Sequence, residues 1–276
     1  MTFILACFRP LTRSLLLVVP GVLLTLLLVS CGNAPRVPDG SGADLTTESD
    51  ETPARKRARL RLELAVNYFD QGQTRVALDE VKQALVQDPA YPEAMNLRGL
   101  IFMRLSDLRM AEESFRQSLA INPKDGNVLH NYGWLMCQQG RYTEAGTSFA
   151  QALDSPVYRD RAKTLMAQGL CEERAGKLAD AERSLARSYE LDPGNPITGF
   201  NLANLFFRRG DFVRAQFYVR RLNNSEFANA ESLWLGIKVE RKLDNRDAMR
   251  QLREQLAKRF GQSRELQLYE KGSFDE

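Results

Sequence analysis

The sequence has little of what enzyme active sites need. It contains one histidine, His130, among 276 residues, so a zinc site or a Ser-His-Asp triad cannot be assembled in the usual way. HExxH, GxSxG, Walker A and GxGxxG motifs do not occur. We therefore expect no enzymatic activity, no cofactor and no small-molecule substrate.

An excess of one charge is also absent. The 38 Lys and Arg residues nearly balance the 35 Asp and Glu residues, which gives a net charge of +3, and no polybasic run stands out. Nucleic-acid-binding proteins concentrate positive charge in such runs or patches. We expect no nucleic acid as a partner. The content of 43% hydrophobic and 26% charged residues suits an ordered protein with a solvated surface.

The long hydrophobic run of the chain lies at its start. Arg9 and Arg13 precede an apolar stretch over residues 15–29, which Pro20 and Gly21 interrupt. A transmembrane helix needs roughly 20 apolar residues, and basic, apolar and small-residue zones in this order are typical of a signal peptide. We assign residues 1–30 to such a peptide.

The stretch "LVSC" that ends in Cys31 resembles the lipobox of bacterial lipoproteins. The resemblance implies that the Cys31 thiol is acylated and that cleavage makes Cys31 the first residue of the mature chain. The next residue is Gly32 rather than Asp, which by analogy favours the outer membrane over the inner one. The alternative is an uncleaved signal anchor with an incidental cysteine.

The segment that follows is rich in Gly, Pro, Ser, Thr and acidic residues and has almost nothing to bury. Such composition is typical of disordered chain. We interpret residues 31–57 as the lipidated cysteine and a flexible acidic linker. It separates the anchor from the folded part, residues 58–262, and residues 263–276 then form a C-terminal cap.

Residues 58–262 contain a repeat. Two series of residues recur at the same intervals: a first series of small residues, and a second series of alanines from Ala77 to Ala248. Each of these alanines is followed four places later by a larger apolar residue. The small residues allow two helices to approach closely, and the larger apolar residues fill the space beside them. The first series has intervals of 34, 34, 36, 34 and 33 and consists of Ala65, Gly99, Gly133, Gly169, Ala203 and Gly236.

Turn residues punctuate the same period. Glycines lie between the two series, and prolines close three of the units, because proline cannot continue a helix interior and glycine relieves strain in a turn. A period of 34 residues with this order is the tetratricopeptide signature. The sequence predicts an all-α fold, a right-handed superhelix (α-solenoid) of six tetratricopeptide repeats, with a two-residue insertion near residues 160–161.

In such a stack, the first helix of each unit lines the concave face. Positions 2, 5, 9 and 12 of that helix point into the groove, where apolar and amide groups predominate in the first three units. Exposed apolar groove residues are typical of peptide or helix binding. Instead of contacting a partner, Leu62, Val66 and Leu100 could serve ordinary inter-helix packing. His130 could likewise have a passive surface role instead of a hydrogen bond to a partner. The predicted partner-binding groove consists of Leu62, Val66, Phe69, Asn96, Leu100, Met103, Asn127, His130 and Trp134.

Cys137 and Cys171 lie at nearby positions in neighbouring units, but their register differs by two positions. An extracytoplasmic compartment permits a disulfide. The alternative, which the register difference favours, is that both are small buried hydrophobic residues.

Three further stretches resemble the type IV pilus biogenesis and stability lipoproteins called PilW or PilF. They are "NYGWLMCQQGRYTEA", "SPVYRDRAKTLMAQGLCEERAGK" and "ESLWLGIKVERKLDNRDAMRQLREQLAKRF". Together with the insertion before the fourth unit, the matching residues are Asn131-Tyr132-Gly133, Pro156 with Tyr158, Gly169-Leu170-Cys171 and Leu235-Gly236-Ile237.

This resemblance implies a six-repeat outer-membrane lipoprotein on the periplasmic side. It implies a pilotin, an assembly factor that helps the pilus secretin to reach the outer membrane or to multimerise there, and so supports pilus stability and twitching motility. The expected partners are the secretin and, through the lipid, the outer membrane. The alternative hypothesis is a general periplasmic scaffold for envelope or cell-wall machinery.

Overall fold

A computed structural model describes residues 50–274 of the chain, which form thirteen α-helices and no strand. The predicted signal peptide, the predicted lipidation site Cys31 and most of the predicted linker lie outside the described residues. Among the helices of residues 50–274, none has the length and hydrophobicity needed to cross a membrane.

Twelve of the helices form six consecutive pairs, which we call units 1 to 6, and the first and second helix of each pair are its A and B helices. The first three units comprise α1 Pro53–Asp70 and α2 Thr74–Gln87, α3 Pro92–Arg104 and α4 Leu108–Ile121, and α5 Gly126–Gln138 and α6 Tyr142–Asp154. The next three comprise α7 Arg161–Arg174 and α8 Leu178–Leu191, α9 Pro196–Arg208 and α10 Phe212–Asn223, and α11 Ala230–Lys242 and α12 Arg246–Arg259. The last helix is α13 Arg264–Glu270.

The first helix begins earlier than expected, and a short additional helix covers the other end of the stack. The first helix begins at Pro53, where the Thr52 side chain caps it by accepting a hydrogen bond from the Arg55 backbone N–H. Residues 53–57, which we assigned to the linker, are therefore helical. At the other end, α13 packs against α11 and α12 and buries Leu266, so the end of the stack is covered by an apolar contact.

The small residues of the A helices are required by the packing within each unit. A Cβ added to Gly99 would lie 2.4 Å from the ring of Phe115, and one added to Gly133 would lie 2.8 Å from the ring of Phe149. Both rings are fully buried. The two predicted series of residues thus meet in pairs, and the all-α repeat fold is confirmed.

The turn between the A and B helices requires a left-handed backbone. Gly140 has a φ of 74°, and the glycines of units 1, 4 and 5 adopt similar values. In units 2 and 6, Ser106 and Asp244 take the same place with φ of 62° and 52°, although a residue with a Cβ pays roughly 1–2 kcal/mol there. The 34-residue spacing from Gly72 and Gly210 leads to these two positions, so the period locates the turn even without glycine.

The direction in which the stack curves follows from its contacts. Neighbouring A helices touch each other, as α1 and α3, α3 and α5, and α5 and α7 do, whereas no two B helices of the described chain make comparable contacts. A stack whose A layer is the closer one curves toward that layer. The A helices therefore lie on the inner side, as expected for the predicted groove.

Candidate functional site

The candidate site is the A-helix face, which we define as the inward side of α1, α3, α5, α7, α9 and α11. Of the predicted groove residues, Leu62 and His130 are only 9% and 7% exposed. Their assignment to the groove surface is wrong, because both side chains fill the space between helices. Val66 is 41% exposed and Asn127 is also exposed, while the half-buried members are Phe69, Asn96, Leu100, Met103 and Trp134.

Apolar side chains on this face do not stop at unit 3. Half-buried apolar residues continue along α7 and α9, at Met166, Leu170, Phe200 and Phe207. In units 2 and 3, the Asn131 amide donates a 3.0 Å hydrogen bond to the side-chain oxygen of Asn96, which fixes one amide pair across these two units. The face thus offers a continuous set of apolar side chains with a few fixed polar groups, a composition typical of peptide-binding surfaces.

Cations from one unit cover aromatic rings of the preceding unit along this face. The Arg104 guanidinium lies 3.6 Å from the centroid of the Phe69 ring, and Arg174 lies 5.0 Å from that of Trp134. Arg104 also donates a 2.6 Å hydrogen bond to the Phe69 carbonyl. These contacts tie successive units together, because a stacked cation–π pair contributes roughly 0.5–1 kcal/mol at exposed sites.

The A-helix face ends in a cavity that the sequence interpretation missed. It measures about 280 Å³ and lies between α9, α11 and α13. One of its lining residues, Trp234, is 5% exposed, and its indole Nε1 has no hydrogen-bond partner among the described residues. The sequence carries no signal for this cavity, because its existence depends on where α13 packs. The cavity is lined by Phe200, Asn204, Glu231, Trp234, Leu235, Lys238, Arg264, Glu265 and Leu268.

Within residues 50–274, no group of three or more His, Cys, Asp or Glu side chains is arranged to hold a metal ion. What the A-helix face can do chemically is to bury apolar side chains of a ligand and to hydrogen-bond a few of its polar groups.

The sequence and the structure are both similar to known proteins. The tetratricopeptide-repeat family matches residues 62–126, 137–196 and 114–147. The type IV pilus assembly protein PilF of Pseudomonas aeruginosa is 26% identical over 88% of this chain and 95% of its own length. The crystal structure of PilW, described as a widely conserved type IV pilus biogenesis factor, superposes with a TM-score of 0.70 at 30% identity, over 77% of this chain and 97% of that one.

This chain belongs to the PilW/PilF family of tetratricopeptide-repeat proteins. The structure of Pseudomonas aeruginosa PilF agrees with this, with a TM-score of 0.72 at 25% identity over 80% of this chain and all of that one. The named members serve type IV pilus assembly or biogenesis.

In this PilW/PilF-family chain, His130 belongs to a buried hydrogen-bond chain at the junction of units 3 and 4. Its Nδ1 lies 2.8 Å from the Thr164 hydroxyl, which lies 2.6 Å from the Tyr158 hydroxyl. Burial lowers the pKa of His130 from 6.5 to about 4; the charge of Lys163 also lowers it, and Asp160 partly offsets both. The ring is therefore neutral at pH 7 and serves packing.

The same junction of this family member carries a disulfide between Cys137 and Cys171, whose Cα atoms are 5.7 Å apart. The interpretation as two free cysteines is wrong. The register difference did not prevent the bond, because residues 34 apart face each other here, as His130 and Thr164 also do. At other junctions the paired residues are 35 apart, for example Asn96 with Asn131.

Proposed function

We propose that this chain is a non-enzymatic assembly factor, a pilotin, for type IV pili. Its A-helix face holds a segment of the pilus secretin and promotes the localisation and multimerisation of the secretin in the outer membrane. The observation that carries the proposal is the run of partly exposed apolar side chains along the inner face, from Val66 to Phe207, in a member of the PilW/PilF family.

The proposal includes a lipid anchor at Cys31 on the periplasmic side of the outer membrane. Three acyl chains bind a membrane stably, whereas a single chain gives only marginal attachment. The disulfide between Cys137 and Cys171 supports an extracytoplasmic location, because disulfides persist in oxidising compartments such as the periplasm. The Cys31→Ser variant should leave the outer-membrane fraction, and the mature wild-type chain should carry acyl mass on its first residue. A wild-type chain without acyl groups would contradict the anchor alone.

Two valines provide a matched test of the binding face. Val66 lies on the A helix of unit 1 and is 41% exposed, while Val86 lies on its B helix and is 69% exposed. An unpaired carboxylate buried against an apolar ligand is costly, so Val66→Glu should lower the amount of secretin multimer in outer membranes by about tenfold or more. Val86→Glu should leave it unchanged.

The measurement is an immunoblot of secretin multimers from outer membranes of cells that contain each variant at equal level. Deletion of the gene sets the lower limit, and unchanged multimers with normal piliation in the deletion strain would contradict the pilotin proposal. Equal effects of the two valine variants would contradict the proposal that the A-helix face binds the secretin. Recovery of cell-wall enzymes instead of the secretin after crosslinking would favour a periplasmic scaffold.

A further inference from the structure

The junction of units 4 and 5 lacks a large side chain that the three preceding junctions have. Four residues before the small residue of the A helix, units 2, 3 and 4 place large buried residues, Met95, Leu129 and Leu165. Unit 5 has Gly199 there, and an added Cβ would meet nothing closer than Tyr189, at 3.8 Å. Leu129 packs against the preceding B helix at this place. The missing side chain therefore leaves room.

A cavity of about 160 Å³ occupies this place, at the edge of the stack where units 4, 5 and 6 are connected; we call it the outer cavity. Its walls are largely apolar and aromatic and include Tyr218, Leu222 and Phe227. Arg221 is the one ionic side chain that lines it; its guanidinium lies 5.8 Å from the centroid of the Tyr189 ring, and within residues 50–274 it forms no ion pair. The Tyr189 hydroxyl is buried without a hydrogen-bond partner among the described residues.

Exposed apolar residues lie at the wall of the outer cavity and along α10, the helix that contributes Tyr218 and Leu222 to it. Val213 and Phe217 on α10 are 69% and 60% exposed, and Phe227 at the cavity wall is 51% exposed. The Phe217 ring contacts that of Tyr218 edge-on, with 5.1 Å between the centroids, so the exposed patch continues into the cavity. At the positions of Val213 and Phe217, the other B helices have Arg75 and Asp79, Arg109 and Glu113, Thr143 and Thr147, Ala179 and Arg183, and Arg246 and Arg250.

Three kinds of occupant can be compared. A bilayer surface would meet Val213 and Phe217 but would not fill a recessed cavity. A second copy related by a two-fold axis that passes through this small surface would bring Arg221 close to its own counterpart. A protein segment meets all of the observations, because one large apolar side chain, with the volume of about five waters, can enter the cavity while a carboxylate pairs with Arg221.

We propose that the outer cavity docks a partner protein through a short segment in which a large apolar side chain lies next to an Asp or Glu. This surface is separate from the A-helix face and does not depend on the secretin being the ligand there. A chain with two such surfaces can hold two proteins at once, which is the arrangement of an adapter.

The test uses a library of random decapeptides displayed on phage and selected on the full chain. Enriched peptides are then synthesised, and their affinities for the wild type and for two variants are measured by fluorescence anisotropy. Gly199→Leu fills the cavity, and Arg221→Glu reverses its charge. Gly146→Leu is the matched control, since Gly146 is also helical and nothing lies within 4 Å of an added Cβ.

We expect one class of peptides with a large apolar residue beside Asp or Glu. Its affinity should fall about tenfold or more in Gly199→Leu and in Arg221→Glu, and should stay unchanged in Gly146→Leu. Replacing the acidic residue of the peptide by Lys should restore binding to Arg221→Glu, which a merely misfolded variant would not allow. Circular dichroism checks that all variants keep their helices.

Several results would overturn the proposal. They are the absence of such a class, equal binding to Gly199→Leu, or a loss of binding in the control as well. Binding to phosphatidylglycerol vesicles that Phe217→Ser abolishes would assign the patch to lipid instead. Dimerisation that Phe217→Ser abolishes would assign it to a second copy of the chain.

Discussion

The junction of units 3 and 4 and the junction of units 4 and 5 are built from the same repeat but are closed differently. At the first, the disulfide and the hydrogen-bond chain through Thr164 join the units, and Tyr158 packs over Gly126. At the second, Gly199 leaves the outer cavity open, and α7 and α9 contact each other less than other neighbouring A helices do. In a linear stack each junction contributes to stability separately, so one period can contain a clamped junction and a loosely filled one.

Removal of the disulfide at the junction of units 3 and 4 should have the largest effect on the stability of the chain. The double variant Cys137→Ala, Cys171→Ala loses a bond that joins residues 34 apart, and the chain-entropy treatment of such a loop predicts a loss of about 3–4 kcal/mol in the free energy of unfolding. Urea denaturation followed by circular dichroism measures it. Reductant should destabilise the wild type but not the variant; an equal midpoint for both chains without reductant would contradict the prediction.

The second largest effect is expected from acid, which should destabilise the junction of units 3 and 4. The folded chain holds His130 neutral with its pKa lowered to about 4 from 6.5, so between these values the unfolded chain binds a proton that the folded chain does not. The stabilisation is complete above pH 6.5 and is lost as the pH falls toward 4, by about 2 kcal/mol at pH 5. Denaturation of the wild type and of His130→Gln is measured at pH 7 and at pH 5. Between these two pH values, the variant should lose about 2 kcal/mol less of its free energy of unfolding than the wild type does. Parallel pH profiles would exclude His130 as the cause.

The smallest effect compares one glycine in each region. Gly126→Ala would place a Cβ 2.5 Å from the Tyr158 ring at the junction of units 3 and 4, and overpacking of this kind costs about 1–3 kcal/mol, so the variant should be less stable than the wild type. Gly199→Ala meets only an ordinary contact at 3.8 Å and gains helix propensity, so it should be more stable by about 0.5–1 kcal/mol. Melting curves of the two variants should shift in opposite directions. A shift of the same sign in both would end the distinction between a filled and an open junction.

The predictability of the site differs from that of the fold, residue by residue. Asn96 is half-buried on the inner side, whereas Leu62 and His130, which occupy the same position of their own units, are buried. The position in the repeat sets the direction of a side chain, but its exposure depends on what the neighbouring units place beside it. The Trp234 cavity required knowledge of where α13 packs.

By itself, the sequence determined the helix pairs, their turns and the contact between each small A-helix residue and its large B-helix partner. These features depend on residues of a single unit, and their spacing repeats along the chain, so the period alone carries them. Only the tertiary structure decided that Cys137 meets Cys171, that His130 is buried and that Gly199 leaves a cavity. Each of these depends on the offset between neighbouring units and on how two sets of side-chain volumes fill the space between them, which no single unit specifies.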